Sequence, residues 1–294
     1  MWDPFWLTVS PKPATDVTRE KHKSRASPIT VPPGLVQVRR RTSLTQVTET
    51  LPLTGERTAP GIWHENYWFA RHDAVYRWIT ANLPVSRTGR VLDAGCGEGY
   101  GAELLRLAGA GSVTGLDYED TTLHHVRRVY PQLKVVRGNL VQTPFAANAF
   151  QLVTSMQTIE HLWEQPRFVA ECHRILEPHG TLILSTPNKL TFPSGNWYHT
   201  RELTAPEFVE LVEPFFTITH TLGLHHGQRL TAWESKHGSC VDAQLATEHD
   251  TWDDELAGLV RSTRYEDFEI RPGELDGSLD LILVAKPRDA RSVR

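Results

Sequence analysis

The segment whose residue types and spacing most plainly imply chemistry runs from Val91 to Gly101, Val-Leu-Asp-Ala-Gly-Cys-Gly-Glu-Gly-Tyr-Gly. Apolar residues give way to alternating glycines, the pattern of a buried strand turning tightly into a helix. Glycine backbone takes the sharp dihedrals of such a turn and lets a ligand approach closely. Asp117 follows Gly95 by 22 residues, at the end of the next apolar run. A carboxylate at that place accepts hydrogen bonds from both hydroxyls of a ribose, so the pair of features implies a nucleoside.

Two details select among nucleoside ligands. The third glycine of a dinucleotide fingerprint would fall at Tyr100, and Asp93 and Glu98 flank the loop. Pyrophosphate wants bare N–H groups at a helix N-terminus and is repelled by nearby carboxylates. A ligand carrying an ammonium and a sulfonium, such as S-adenosylmethionine (SAM), accepts them.

A second group of residues suits proton transfer, since histidine is the usual base near neutral pH. Glu160-His161, Trp197-Tyr198-His199 and His225-His226 each follow an apolar run of strand length. Ligands of parallel sheets bind beyond the carboxyl ends of strands. His161 is the first choice for the base, with Glu160 orienting it or the acceptor. His199, His225 and His226 are candidates for the acceptor, and the alternative for each is an ordinary loop histidine.

The elements that must position these groups alternate. Apolar periodicity predicts helices over 65–83, 98–108, 120–130, 165–176 and 205–212, and strands over 90–93, 112–116, 134–137, 150–155, 181–185, 216–224 and 279–285. The fold class is therefore α/β, a doubly wound, seven-stranded, mostly parallel sheet. Residues 228–272 break the rhythm and are longer than a usual connection. Trp252, Leu256, Leu259 and Val260 make a helical stripe there, with Thr251 and Asp254 as a capping pair. This reads as a helical, substrate-side insertion before the last strand. Arg229, Trp233, Glu234, Lys236, His237, Asp242 and Trp252 would face a carbohydrate. A contact between two copies of the chain, a homodimer, is the alternative.

Residues 1–50 carry eight Lys/Arg against four Asp/Glu and little apolar periodicity, so they read as a disordered tail before a domain at 51–294. The net charge of −4 argues against nucleic acid as the main partner. Three scattered cysteines give no disulfide framework, and no apolar run reaches the ~20 residues of a membrane span. The chain is expected to be cytoplasmic.

Over residues 90–186 these motifs resemble class I SAM-dependent methyltransferases, with their Rossmann-like fold. The resemblance implies a cofactor site in which Asp93, Gly95, Cys96, Gly97 and Gly99 lie along the methionine part of SAM. Asp117 would hold the ribose and Tyr118 would pack on the adenine. Gly138-Asn139-Leu140 stands where the family often has an acidic residue facing the adenine amino group, so Asn139 is a departure. Gln157 would sit near the reacting methyl. The segments Leu53–Pro60, Glu65–His72, Ser185–Asn188, His199–Leu203 and Ser278–Leu281 are similar to actinobacterial sugar O-methyltransferases linked to methylated glucose polysaccharides. That similarity implies a glycan or small-molecule acceptor, with Tyr67 and Arg71 closing over the SAM carboxylate. Trp68 reads as a core aromatic. Quinone-type relatives carry E-x-x-E-H and bind a divalent metal. Here Gln157 replaces the first carboxylate before Glu160-His161, which leaves Mg²⁺ as an alternative with less charge to hold it. A phenolic or quinone acceptor is the runner-up.

Overall fold

Adjacent residues on a strand point to opposite faces of a sheet, and this chain fills both faces. Val91, Leu152, Ile183, Ile282 and Val284 pack into one buried cluster, while Leu92, Val153, Leu182, Leu184, Leu281 and Leu283 pack into another. Helices must cover both, which is the doubly wound arrangement. The computed structural model describes residues 58–83, 89–193 and 195–288. The tail read over residues 1–50 lies outside the described residues.

The strands are β1 (Arg90–Ala94), β2 (Ser112–Asp117), β3 (Lys134–Arg137), β4 (Phe150–Met156), β5 (Leu176–Pro187), β6 (Phe216–His226), β7 (Phe268–Arg271) and β8 (Asp280–Pro287). They form one sheet in the order β3-β2-β1-β4-β5-β8-β6-β7. The first five strands pair in parallel, and β8 runs antiparallel between β5 and β6. Helices α1 (Asn66–Asn82), α2 (Tyr100–Leu107) and α3 (Asp120–Val129) contribute Ile79, Leu105 and Val126 to the first cluster. Helices α4 (Gln165–Ile175) and α5 (Ala205–Val212) contribute Phe168 and Phe208 to the second. Among the described residues no helix is long and apolar enough to cross a membrane.

The sheet has eight strands, not seven. The extra one is β7, which lies inside the stretch read as insertion and pairs antiparallel with β6 through Phe268↔His226 and Ile270↔Leu224. The rest of that stretch is helical: α6 (Gln228–His237), α7 (Cys240–Ala246) and α8 (Asp254–Ser262). Helix α8 is capped by Asp253, whose side chain accepts the Leu256 N–H at 2.8 Å, rather than by Thr251. Leu230, Leu256, Leu259 and Val260 are buried in the first cluster, so the insertion builds part of the core.

Candidate functional site

The loop after β1 is held at both sides. The N–H groups of Gly95 and Cys96 donate to the Leu116 carbonyl at 2.8 and 3.0 Å. Gly95 has φ +81°, and a Cβ there would come within 2.6 Å of the Thr158 side chain. Gly97 has φ +48°, and no atom lies within 4 Å of where its Cβ would stand. The backbone at Gly97 therefore faces open space. Asp117, at the end of β2, accepts from the N–H of Gly97 at 3.0 Å and of Glu119 at 3.1 Å. A cavity of about 260 Å³ lies over this loop, reached by Gly95, Cys96, Gly97, Glu98, Asp117, Tyr118 and Leu140.

A second cavity of about 530 Å³ adjoins it. Thr58, His72, Gln157 and His161 line both. Gln157 sits at this junction with φ +50°, an uncommon conformation for a side-chain-bearing residue, and its amide donates to the Ser185 hydroxyl at 3.3 Å. Glu160, His161 and His199 meet on the wall of the second cavity. His161 Nδ1 donates to the Tyr198 carbonyl at 3.0 Å. His199 Nδ1 lies 2.8 Å from Glu202 Oε1, and the two imidazoles meet edge-on with centroids 5.1 Å apart. Glu160 is fully buried and accepts the Thr186 hydroxyl at 3.1 Å, and burial pushes its carboxyl up to about 8. Thr200 stitches the two segments together, donating through its N–H and hydroxyl to the Glu160 carbonyl at 2.7 and 3.0 Å.

Residues 92–184 match the family model of a methyltransferase domain. A protein of Mycolicibacterium smegmatis described as a probable S-adenosylmethionine-dependent methyltransferase is 44% identical over 248 residues, covering 80% of this chain and 95% of that protein. The chain belongs to the SAM-dependent methyltransferases. A ubiquinone biosynthesis O-methyltransferase of Thiobacillus denitrificans is 35% identical over 118 residues, 38% of this chain and 50% of that protein. The fold is similar to a chain from the complex between the Haloferax volcanii Trm112 methyltransferase activator and its methyltransferase partner. There the TM-score is 0.55 at 19% identity, covering 74% of this chain and 91% of that chain.

The methyltransferase's smaller cavity fits SAM on its own residues. Gly97 leaves the space a close ligand needs, and Asp117 offers a carboxylate beside it. Behind the loop, Asp93 is wholly buried. Its Oδ1 accepts from the Tyr76 hydroxyl and the Thr154 hydroxyl, each at 2.9 Å, while Oδ2 has no hydrogen-bond partner. Burial raises its carboxyl to about 6. An unpartnered buried acceptor of this kind suits a cationic ligand group. Tyr118 is 71% exposed, with the Arg137 guanidinium 5.5 Å from its ring centre.

Not every expected site residue reaches either cavity. Asp93 and Gly99 line neither cavity: Asp93 is buried in β1 on the Tyr76 and Thr154 hydroxyls, and Gly99 is the N-cap of α2. Asn139 turns its Oδ1 back to the Val141 N–H at 3.0 Å and leaves Leu140 to reach the cavity. Tyr67 is a core residue whose hydroxyl donates to His226 Nε2 at 2.6 Å. Arg71 binds Asp280 and the Leu279 carbonyl and borders the second cavity, not the first. His225 and His226 line neither cavity. His225 is buried at Gly223, while Glu234 holds His226 Nδ1 at 2.9 Å. Trp233 stacks on His237 with centroids 4.6 Å apart. Arg229, Trp233, Glu234, Lys236, His237, Asp242 and Trp252 line neither cavity, and from the insertion only Leu245 reaches one.

Further residues line the second cavity. His72 and Trp68 project from α1 into the second cavity, with His72 Nδ1 3.1 Å from the Tyr100 hydroxyl. Their i, i+4 spacing puts them on one helix face, a signal that could have marked them as a pair. Phe192, Asn196, Trp197 and Tyr198 come from the loop after β5.

Proposed function

We propose that this methyltransferase moves a methyl group from SAM to a hydroxyl of a sugar or polysaccharide. The observation that carries this reading is the continuity of the two cavities through Thr58, His72, Gln157 and His161. The first takes the donor and the second the acceptor. Bound SAM supplies an electrophilic methyl on a positively charged sulfur.

The chain's own residues do the positioning, on which such a displacement chiefly depends. Asp117 accepts the ribose hydroxyls, Tyr118 and Leu140 take the adenine, and the backbone from Gly95 to Gly97 follows the methionine part. Asp93 supplies negative charge behind the loop. His161, with Nδ1 fixed on a carbonyl, presents Nε2 to the hydroxyl whose proton must leave. The acceptor cavity mixes the rings of Trp68, Phe192 and Trp197 with Glu65, Asn196 and His199. Flat apolar faces beside polar groups suit a carbohydrate. The three cysteines are buried and unpaired, as suits a reducing, cytoplasmic setting.

A phenolic or quinone acceptor is the second reading, supported by the partial similarity to a ubiquinone biosynthesis O-methyltransferase and by the aromatic rim. The test is tritium transfer from labelled SAM to glycans, nucleotide sugars and quinols. A labelled glycan is expected. Label in quinols alone favours the second reading, and SAM binding with no transfer to any hydroxyl makes the chain a non-catalytic SAM-binding module.

A further inference from the structure

Arg71 is 3% exposed, yet it lines the larger cavity. Its guanidinium grips Asp280 through two nitrogens, Nε donating to Oδ2 at 2.8 Å and Nη2 to Oδ1. Nη2 also donates to the Leu279 carbonyl at 2.7 Å. The third nitrogen, Nη1, makes no hydrogen bond among the described residues and is not sealed from solvent. We propose that Arg71 is an acceptor-binding residue whose Nη1 donates to an uncharged oxygen of the sugar, and that its pairing with Asp280 turns away anionic acceptors, that is, phosphorylated, uronic or nucleotide-linked sugars.

The placement of the pair is the first argument. Trp68, Arg71 and His72 are spaced i, i+3 and i+4 on α1, which puts them on one helix face, and all three line the cavity. The guanidinium carbon of Arg71 lies 5.5 Å from the centre of the Trp68 ring. Asp280 opens β8 opposite Pro187, the last residue of β5 and itself a cavity residue. A two-point grip on a carboxylate fixes the plane of a guanidinium, so Nη1 is in place before any ligand arrives. An aromatic ring beside a fixed donor suits one sugar residue.

Charge is the second argument. Among the described residues that line the cavity Arg71 is the one permanent cation, and Asp280 is wholly buried against it. The carboxylate offsets the attraction that the guanidinium would exert on a third charge. What remains is a hydrogen-bond donor without net positive charge. An anionic acceptor would give up its hydration and find no unmatched cation, with Glu65 also on the cavity wall. Glu160 reports the same balance. Burial pushes its carboxyl up to about 8, and Asp280 adds to the push. An unmatched cation in the cavity would draw it down.

This inference rests on the reading of the second cavity as the acceptor site and narrows it. The experiment measures tritium transfer from labelled SAM to neutral oligosaccharides and to their uronic-acid counterparts, matched pair by pair. It is run at about pH 7.5, where an ordinary histidine is neutral. The neutral member of a pair should have a kcat/KM about 100-fold or more above that of its charged counterpart. Arg71→Lys keeps a cation for Asp280 and removes Nη1. It should raise the acceptor KM about tenfold, with kcat and SAM affinity kept. Asp280→Asn leaves the guanidinium unmatched and should narrow the preference for the neutral sugar about tenfold, a change that a merely structural role for the pair would not produce. Melting curves and SAM affinity report the folding of each variant, and the selectivity of the parent decides alone where a variant does not fold.

The inference is overturned by a charged sugar that reacts as well as its neutral counterpart, or by a preference unchanged in folded Asp280→Asn. It is also overturned by an acceptor KM unchanged in Arg71→Lys, and a loss of SAM affinity in that variant would return Arg71 to the donor site. Each of these results leaves the acceptor reading intact, because a sugar has taken label. A panel in which no sugar takes label overturns the acceptor reading and this inference with it.

Discussion

The backbone N–H of Gly97 donates to Oδ2 of Asp117 at 3.0 Å, tying the glycine loop after β1 to the end of β2. One carboxylate thus both shapes the loop and faces the cavity over it. Asp117→Ala should weaken SAM binding by about 1–3 kcal/mol through the lost hydrogen bonds. Titration calorimetry checks this. A variant that binds SAM as tightly as the parent would remove Asp117 from the donor site.

Asp93 should make donor binding sensitive to pH. Burial lifts its carboxyl from 3.8 to about 6. A raised carboxyl favours the folded state while protonated, so this stability contribution is complete below about pH 4 and lost as pH rises through about 6. Binding runs the other way, since a cationic ligand prefers the ionised form. SAM affinity should therefore increase between pH 5 and 7. Asp93→Asn keeps an oxygen for Tyr76 and Thr154 and should flatten that dependence. A parent protein with the same affinity at pH 5 and pH 7 would contradict this role.

His161 should matter for turnover and not for holding the donor. It borders both cavities, with its Nδ1 fixed by Tyr198. His161→Ala should lower kcat by about 10²–10⁴-fold with SAM affinity kept. Single-turnover assays separate the two. Unchanged turnover would shift attention to His199 and His72.

The insertion should be needed for folding, with one side chain bearing on the acceptor. Replacing residues 228–272 by a short turn removes the buried Leu230, Leu256, Leu259 and Val260. Each large core truncation costs about 2–5 kcal/mol against a total stability of about 5–15 kcal/mol, so this protein should not fold. Leu245→Arg changes the cavity wall alone, at a side chain 55% exposed. It should raise the acceptor KM about tenfold or more, with Tm and SAM affinity kept. Circular dichroism melts and steady-state kinetics check the pair, and a folded turn variant would refute the first half.

The sequence alone determined the order of elements and the donor loop. Period-2 and period-3.6 apolar patterns are local, and they located β3 and α5 to the residue and most other elements within one or two. The glycine loop and Asp117 were legible because tight dihedrals and ribose recognition restrict residue type at fixed spacing. The short strand β7 was missed because four residues beside helices carry too little periodicity.

Which histidines meet was decided only by the tertiary structure. His199 joins His161 because β4 and β5 are neighbours, whereas β5 and β8 both lie between β4 and β6. At about 4.8 Å per strand, that puts the end of β6 roughly 14 Å from β4. His225 and His226 therefore sit at a similar strand end yet far from the junction. Tyr67 and His72 share α1, and only the packing of that helix turns one into the core and the other into both cavities. Strand order and helix orientation are set by long-range packing, and no local pattern of residues encodes them.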